Sequence, residues 1–369
     1  MPGVDVPVDD LSWAAYRVPT DAAEADGTIT WHATTMVLVR ARAGATVGTG
    51  WTYAPAAAGT LVGEVLADVV TGRCALDVAG AYHAMHRAVR NAGRPGVAAT
   101  AISAVDTALW DLKARLLHVR LARLIGTVRD RAPVYGSGGF TSYDDAQLGR
   151  QLEYWVHQLR IPRVKIKIGE SWGNAVDRDL ARIRYARDVI GADAELYVDA
   201  NGGYTHKQAI RVAYATTDLD VRWLEEPVSS DDLDGLRRVR DAVAADVTAG
   251  EYGYDLDYFR RMCAAGAVDC LQVDVSRCGG ITEWQRIAAV AAAHNLQVSG
   301  HTAPHLHVDP AVATANLRHL EWFHDHARIE SMLFDGALAP DGGTLRPDLS
   351  VPGNGLTFRD ADAARYRIA

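Results

Sequence analysis

The stretch Arg163–Gly169 reads RVKIKIG. In an extended strand alternate side chains share a face. Lys165 and Lys167 therefore point one way, and Val164, Ile166 and Ile168 the other. The apolar side calls for a packed layer. The lysine side is either a solvated edge or an interior that is polar for a reason. The pattern recurs downstream: the apolar runs AELYVDA, VRWLEE, DVTAGE, CLQVDV and LQVSGH follow in turn, with helical segments such as AVDRDLARIRYARDVI and ITEWQRIAAVAAAHN between them. Strands alternating with crossover-length helices imply parallel pairing. Counted from PVYGSG to RHLEWF there are about eight strands. That number fits a closed (β/α) barrel, with a doubly wound open sheet as the alternative.

Upstream, TTMVLVRARAGATVGTGWTY reads as a hairpin turning near Ala43 and Gly44, with a glycine-rich return strand. LVGEVLADVV, YHAMHRAVRNAG and VAATAISAVDTALWDLKARLL then read as helices. In the last, Ile102, Val105, Leu109, Leu112 and Leu116 recur at helical spacing. The proline and glycines of RAPVYGSGG mark a boundary. The expected division is an N-terminal α+β unit over residues 1–131, a barrel over 132–335, and a Gly/Pro-rich tail over 336–369 that packs back on the first unit.

The 369 residues are 49% hydrophobic and 23% charged, an ordinary globular balance for one large domain with a smaller companion. A net charge of -8 argues against nucleic acid or an anionic membrane as partner. No apolar run reaches membrane-spanning length, and MPGVDVPVDDLSW lacks the basic start and apolar core of a secretion signal. Cys74, Cys263, Cys270 and Cys278 show no paired spacing and read as reduced thiols, so the expected compartment is cytoplasmic.

Ionisable residues end successive strands: Asp199, Glu225, Glu251, Asp274 and His301, separated by 26, 26, 23 and 27 residues by subtraction. A parallel barrel gathers its C-terminal strand ends on one face, where active sites form. One acid at a strand end is commonly a helix cap; five in register call for another explanation. Converging carboxylates need a counter-charge, and all-oxygen ligands favour Mg²⁺ first and Mn²⁺ second. Asp199, Glu225 and Glu251 lie on consecutive strands and form the expected ligand trio. Glu226 alternates away and ranks below Glu225. Asn201 supports the metal shell or simply turns the chain in VDANGGY. Asp274 is placed to orient His301 and raise its basicity as a general base. Lys165 and Lys167 fall across the barrel from His301. Two neighbouring cations disfavour each other's charge, which lowers the pKa of at least one and makes an amine base available.

Taken together, KIK at Lys165–Lys167, VDAN at Asp199, LEEP at Glu225, GE at Glu251, VDVSRCGGITEW at Asp274, SGH at His301 and HLEWF at Glu321 resemble the enolase superfamily, and within it the mandelate racemase subgroup. The helix SAVDTALWDLKARLL is similar to that family's last capping-domain helix. The resemblance covers nearly the whole chain. It implies a modified (β/α)₇β barrel with an α+β capping domain made from the N-terminal segment and the C-terminal tail. It implies Asp199, Glu225 and Glu251 as ligands of one Mg²⁺. Lys167 is implied as the base on one face, Lys165 as its tuning neighbour, and the Asp274–His301 dyad as base or acid on the other face. Glu321 is implied as a hydrogen-bond donor or electrostatic partner to the substrate carboxylate. A homo-oligomer is implied as well.

The chemistry so implied is abstraction of the proton α to a carboxylate, giving a metal-stabilised enediolate. Dehydration of an acid sugar to a 2-keto-3-deoxy acid is the favoured outcome. Racemisation or epimerisation of a 2-hydroxy acid by Lys167 and His301 is the alternative. Cycloisomerisation of the muconate type ranks lower, because it is described by a lysine on each side. A non-catalytic acid-sugar-binding protein is a further alternative. Substrate identity falls to the loops. The expected first cap loop, Val18–Thr34, carries Trp31 and His32 toward the substrate's distal end, and YGSGGF offers Ser137 and the backbone of Gly138 and Gly139 to a polyol. HTAPHLHV adds His305 and His307, whose H-x3-H-x-H spacing with His301 permits a zinc reading but lacks soft partners. His324, Asp325 and His326 are dense in charge without an assigned role.

Overall fold

The computed structural model describes residues 6–369. The N-terminal unit is built on an antiparallel sheet of β1 (Asp10–Ala25), β2 (Thr30–Ala43) and β3 (Thr46–Tyr53), in that order. The expected hairpin is β2 and β3, turning at Gly44 in the left-handed conformation. β3 is glycine-rich because the Val97–Leu116 helix lies directly on it. A Cβ at Gly48 would come within 2.3 Å of Ala108 O, and one at Gly50 within 2.3 Å of Ala104 O.

One element departs from expectation. Val18–Thr34 is not a loop: β1 runs to Ala25, Asp26–Ile29 makes the turn, and β2 begins at Thr30. Asp26 Oδ1 accepts from the backbone N–H of Thr28 (2.6 Å) and Ile29 (2.9 Å), which fixes the turn. Polar and small residues hide the strand pattern, and the register shifts between Pro19 and Glu24, which breaks the alternation.

Eight parallel strands then close on themselves: β4 (Ala132–Gly138), β5 (Arg163–Lys167), β6 (Glu195–Asp199), β7 (Val221–Glu225), β8 (Asp246–Ala249), β9 (Cys270–Val273), β10 (Gln297–Gly300) and β11 (Leu317–Phe323). β11 pairs with β4 from Leu320 opposite Val134 to Phe323 opposite Ser137. The barrel is therefore closed, and the open sheet is excluded. Val164, Ile166, Leu196, Val198 and Leu224 face outward into the apolar layer beneath the helices. Helices after the strands open on capping side chains: Thr205, Asp232 and Asp255 accept from the N–H of Gln208, Gly235 and Tyr258.

The barrel interior is layered by register. Lys165 pairs with Tyr197, and Tyr197 with Trp223; one layer up, Lys167 pairs with Asp199, and Asp199 with Glu225. Tyr135, Tyr197, Trp223 and His319 pack ring against ring as an aromatic floor. The charged layer sits above it at the C-terminal mouth.

The N-terminal sheet and its β1–β2 turn lie over this mouth, while the Val97–Leu116 helix packs on β3 and against the Ile281–Ala293 helix. Thr141 N donates to Ala25 O (2.8 Å), and Trp172 N to Gly27 O (2.9 Å), which pins the β1–β2 turn on the barrel. In the tail, β12 (Phe334–Asp335) pairs with β14 (Thr357–Phe358), and β13 (Thr344–Leu345) adds antiparallel to the start of β4. Beyond them Ile368 N donates to Ala15 O (2.8 Å), and Asp360 meets Arg40 at 2.7 Å.

Candidate active site

Between the barrel mouth and the N-terminal sheet lies a cavity of about 540 Å³. Lys167, Glu251, His301 and Glu321 reach it from the barrel; Trp31, Thr34 and Tyr53 close it from above.

Asp199, Glu225 and Glu251 are buried, and each offers an oxygen within 4.8 Å of the others. Asp199 Oδ1 accepts from Asn201 N (2.8 Å), and Glu225 Oε2 from the Trp223 indole (2.8 Å). Glu251 Oε2 is buried with no hydrogen-bond donor. Burial pushes Glu225 up most; Lys165 opposes it, Asp199 adds to it, and the result is a pKa of about 8. Such a group ionises fully only with more positive charge than the two lysines supply.

Lys165 is fully buried beneath the mouth. Its Nζ pairs with Glu225, lies 2.8 Å from Glu321 Oε1 and 3.6 Å from Asp199 Oδ2. Lys167 Nζ stands at the cavity, 2.5 Å from Asp199 Oδ2. The expected depression of its pKa is a correction to make. Burial lowers it most and Lys165 lowers it further, but Asp199, Glu251 and Glu225 together outweigh both and hold Lys167 above its ordinary value.

His301 Nδ1 is 2.9 Å from Asp274 Oδ2, so Nε2 faces the cavity, 3.4 Å from Glu251 Oε2. Burial alone would lower the imidazole; Glu251 and the Asp274 hydrogen bond raise it above its ordinary value. Burial works against the Asp274 anion most, but the His301 hydrogen bond and the charges of His301, Arg277 and His307 together outweigh it and hold the carboxyl far below the usual range. Its other oxygen accepts from Ser276 N and Oγ, both at 2.7 Å. Glu321 accepts from Ser137 Oγ (2.6 Å), Thr302 N (2.8 Å) and Lys165. Against the penalty of burial, Lys165 and His301 keep it ionised. Its oxygens are thus acceptors, which favours the electrostatic reading of Glu321 over the donor one.

The outer residues divide. Trp31 and Asn201 line the cavity. Asn201 also turns the chain, at φ 45°. His32 does not line it: strand alternation on β2 sends its side chain to solvent. Ser137 does not reach the cavity either; it is fully buried on β4 and orients Glu321 from below. His305 is bonded to Glu330 (2.6 Å) and Leu338 N, and His307 to Ala303 O and Val275 N, so neither converges with His301 on a metal. His326 lines the cavity and stacks on Tyr53 at 3.4 Å between centroids.

Sequence reading passed over Arg277. It lines the cavity and lies 3.4 Å from Asp274 Oδ2 and 3.5 Å from Glu251 Oε1. It sits in a turn, where no periodicity points to it; the only signal was a cation three residues after the dyad's acid. Glu226 keeps the lower rank expected of it: the carboxylates that converge are Asp199, Glu225 and Glu251. The Glu226 backbone turns to φ 36°, and its buried side chain lines a neighbouring hollow with Ser229, Ser230 and Tyr258. Burial, Glu251 and Asp199 push its pKa well up.

Residues 16–126 match the mandelate racemase/muconate lactonizing enzyme N-terminal domain, and residues 147–363 match the enolase C-terminal domain-like family. The chain is 31% identical over 354 residues to the 3,6-anhydro-alpha-L-galactonate cycloisomerase of Streptomyces coelicolor, covering 93% of this chain and 94% of that one. Dehydratases of L-talarate/galactarate, arabinonate and D-gluconate from other organisms are 29–30% identical. Among solved structures, a mandelate racemase/muconate lactonizing enzyme-like protein from Rubrobacter xylanophilus superposes with a TM-score of 0.95 at 46% identity, over 98% of this chain and 100% of that one. A racemase from Streptomyces coelicolor with bound magnesium superposes with a TM-score of 0.92 at 28% identity, over 98% and 100%. With closed barrel, capping sheet and both halves matched, the chain belongs to the mandelate racemase/muconate lactonizing enzyme family of the enolase superfamily.

Proposed function

We propose that this protein is a Mg²⁺-dependent acid-sugar dehydratase. The observation that carries the proposal is that Lys167 and His301 enter one cavity from β5 and β10, on different sides of the Asp199–Glu225–Glu251 cluster. The donor set suits a hard dication: three carboxylates converge, and one of their oxygens is buried without a donor. Magnesium in the 28%-identical racemase supports the same assignment. Mg²⁺ bound by these three residues would fix the substrate carboxylate and stabilise the charge that grows on it as the α-proton leaves.

The chain's own residues do the rest. Lys167 takes the α-proton at Nζ as the neutral amine, a form that a cation held by Asp199, Glu225 and Glu251 would favour by offsetting the carboxylate charges that otherwise keep it protonated. The electron pair left behind forms the α–β double bond and expels the β-oxygen, to which His301 Nε2 delivers a proton, releasing water. The enol then gains a proton at the β-carbon, loses its hydroxyl proton to solvent and becomes the 2-keto-3-deoxy acid. Asp274 keeps Nδ1 engaged, so the proton moves at Nε2. Lys165, Ser137 and Thr302 N hold Glu321 against the cavity floor, and Arg277 steadies Asp274 and Glu251.

The cycloisomerase relative favours a second reading. In a 3,6-anhydro sugar acid the β-oxygen is a ring ether. The same two proton movements would then open the ring, and no water would leave. A screen of mono- and diacid sugars and their anhydro derivatives with Mg²⁺ tests both. Keto acid detected with semicarbazide, lighter than its substrate by one water, supports dehydration. Keto acid of unchanged mass replaces it with ring opening. Deuterium uptake at the α-carbon in D₂O without keto acid overturns both in favour of epimerisation.

A further inference from the structure

One cluster of ligating groups is not used by this chemistry. Asp21 and Glu24, at the register shift in β1, meet His324, the first residue of the His324–Leu333 helix after β11. A ligand atom from each lies within 4.8 Å of the other two. His324 Nε2 is 3.0 Å from Asp21 Oδ2. That is close to the roughly 3.3 Å edge of a tetrahedron with zinc–ligand bonds of about 2.0–2.1 Å.

A second observation points to a ligand. Glu24 is fully buried, its Oε2 accepting from the Trp31 indole (2.8 Å), yet its Oε1 has no partner. Buried carboxylate oxygens are ordinarily satisfied. Nearby positive charge is sparse: Arg328 pairs with the buried Asp325 and donates to Pro19 O (2.7 Å). Asp21, Glu24 and Asp325 thus share one guanidinium.

We propose that Asp21, Glu24 and His324 form a second divalent-cation site, selective for Zn²⁺. An imidazole nitrogen with two carboxylates shifts preference from the hard ions of the all-oxygen trio to the borderline class. The site joins the N-terminal hairpin to the barrel. It stands behind two residues of the cavity wall: Trp31, held by Glu24, and Thr34, which bonds Asp325. A bound ion would clamp that wall in place. The inference does not depend on the reaction proposed above, because metal uptake is read without substrate.

The test uses the full chain in excess Mg²⁺, titrated with Zn²⁺ by calorimetry, with metal content after dialysis measured by mass spectrometry. One Zn²⁺ per chain is expected. Asp21→Asn and His324→Ala should each weaken that binding at least tenfold. Asp21 is exposed, so its amide variant should fold normally. Zn²⁺ should also raise the melting midpoint of the parent protein and not that of Asp21→Asn. Zn²⁺ binding unchanged in both variants, or no uptake by the parent at micromolar Zn²⁺, overturns the proposal and leaves an ion pair between Asp21 and His324.

Discussion

At the scale of residues, Lys167 and His301 are held in different ways. Lys167 has one short contact, to Asp199 at 2.5 Å. His301 is anchored through Nδ1 and presents Nε2. The proposed roles predict different losses. Lys167→Ala should lose both keto-acid formation and α-proton exchange in D₂O, by about 10²–10⁴-fold. His301→Asn should lose keto acid to a similar degree but retain exchange. Circular dichroism and melting of both variants should match the parent; equal loss of exchange in both would reassign the first proton transfer. Chelation with EDTA should abolish turnover, with recovery on adding Mg²⁺ or Mn²⁺. Full turnover in metal-free protein would remove the cation from the proposal.

At the scale of elements, the joint between the capping helix Val97–Leu116 and the barrel helix Ile281–Ala293 is polar. Asp106 Oδ1 accepts from Thr282 Oγ1 (2.6 Å) and Oδ2 from Thr282 N (3.0 Å). Burial, only partly offset by these bonds, pushes the Asp106 carboxyl from 3.8 up to about 7. In the unfolded chain it would ionise near 3.8. Between these values the folded state binds the extra proton, so stability falls as pH rises toward and through 7. Asp106→Asn keeps one acceptor for Thr282 N and cannot ionise. Its melting midpoint relative to the parent should therefore be higher at pH 8.5 than at pH 5.5. A difference independent of pH would show that Asp106 is not the titrating group.

Elements also explain what sequence could and could not tell. The acids and His301 were legible because each sits at or just past a strand end, and the strand–helix unit repeats at nearly constant length. The register that puts Lys167, Asp199 and Glu225 side by side follows from it. β1 was not legible, because its register shift and polar tip erase the alternation that announces a strand. Ser137 and His32 show the complementary failure. Sequence places a residue near a mouth, but which side of the sheet surface it occupies depends on pleat and depth.

At the scale of the whole molecule, the segment after the capping helix and the tail bind the two units together. Leu121 N donates to Gly353 O (2.8 Å), and Asn354 N to Asp111 Oδ1 (2.6 Å). Arg120 forks onto Asp309 in the barrel helix Pro304–Val312, at 2.7 and 2.8 Å, with both side chains buried. Removing one partner strands a buried charge. Arg120→Met should cost about 3–5 kcal/mol in denaturant unfolding, and the double variant Arg120→Met/Asp309→Leu should recover most of it. No recovery would mean that Arg120 acts by packing alone. Among the described residues, no helix is long and apolar enough to cross a membrane.

Trp223 gives the barrel floor an optical consequence. Its indole donates to Glu225 Oε2 at 2.8 Å while its ring stacks on Tyr197, 5.5 Å between centroids. Excited indole is polarised along its ring, so its emission wavelength responds to charge at that carboxylate. Any change in the charge borne by Glu225 should therefore shift the colour of the light from a tryptophan that never meets solvent.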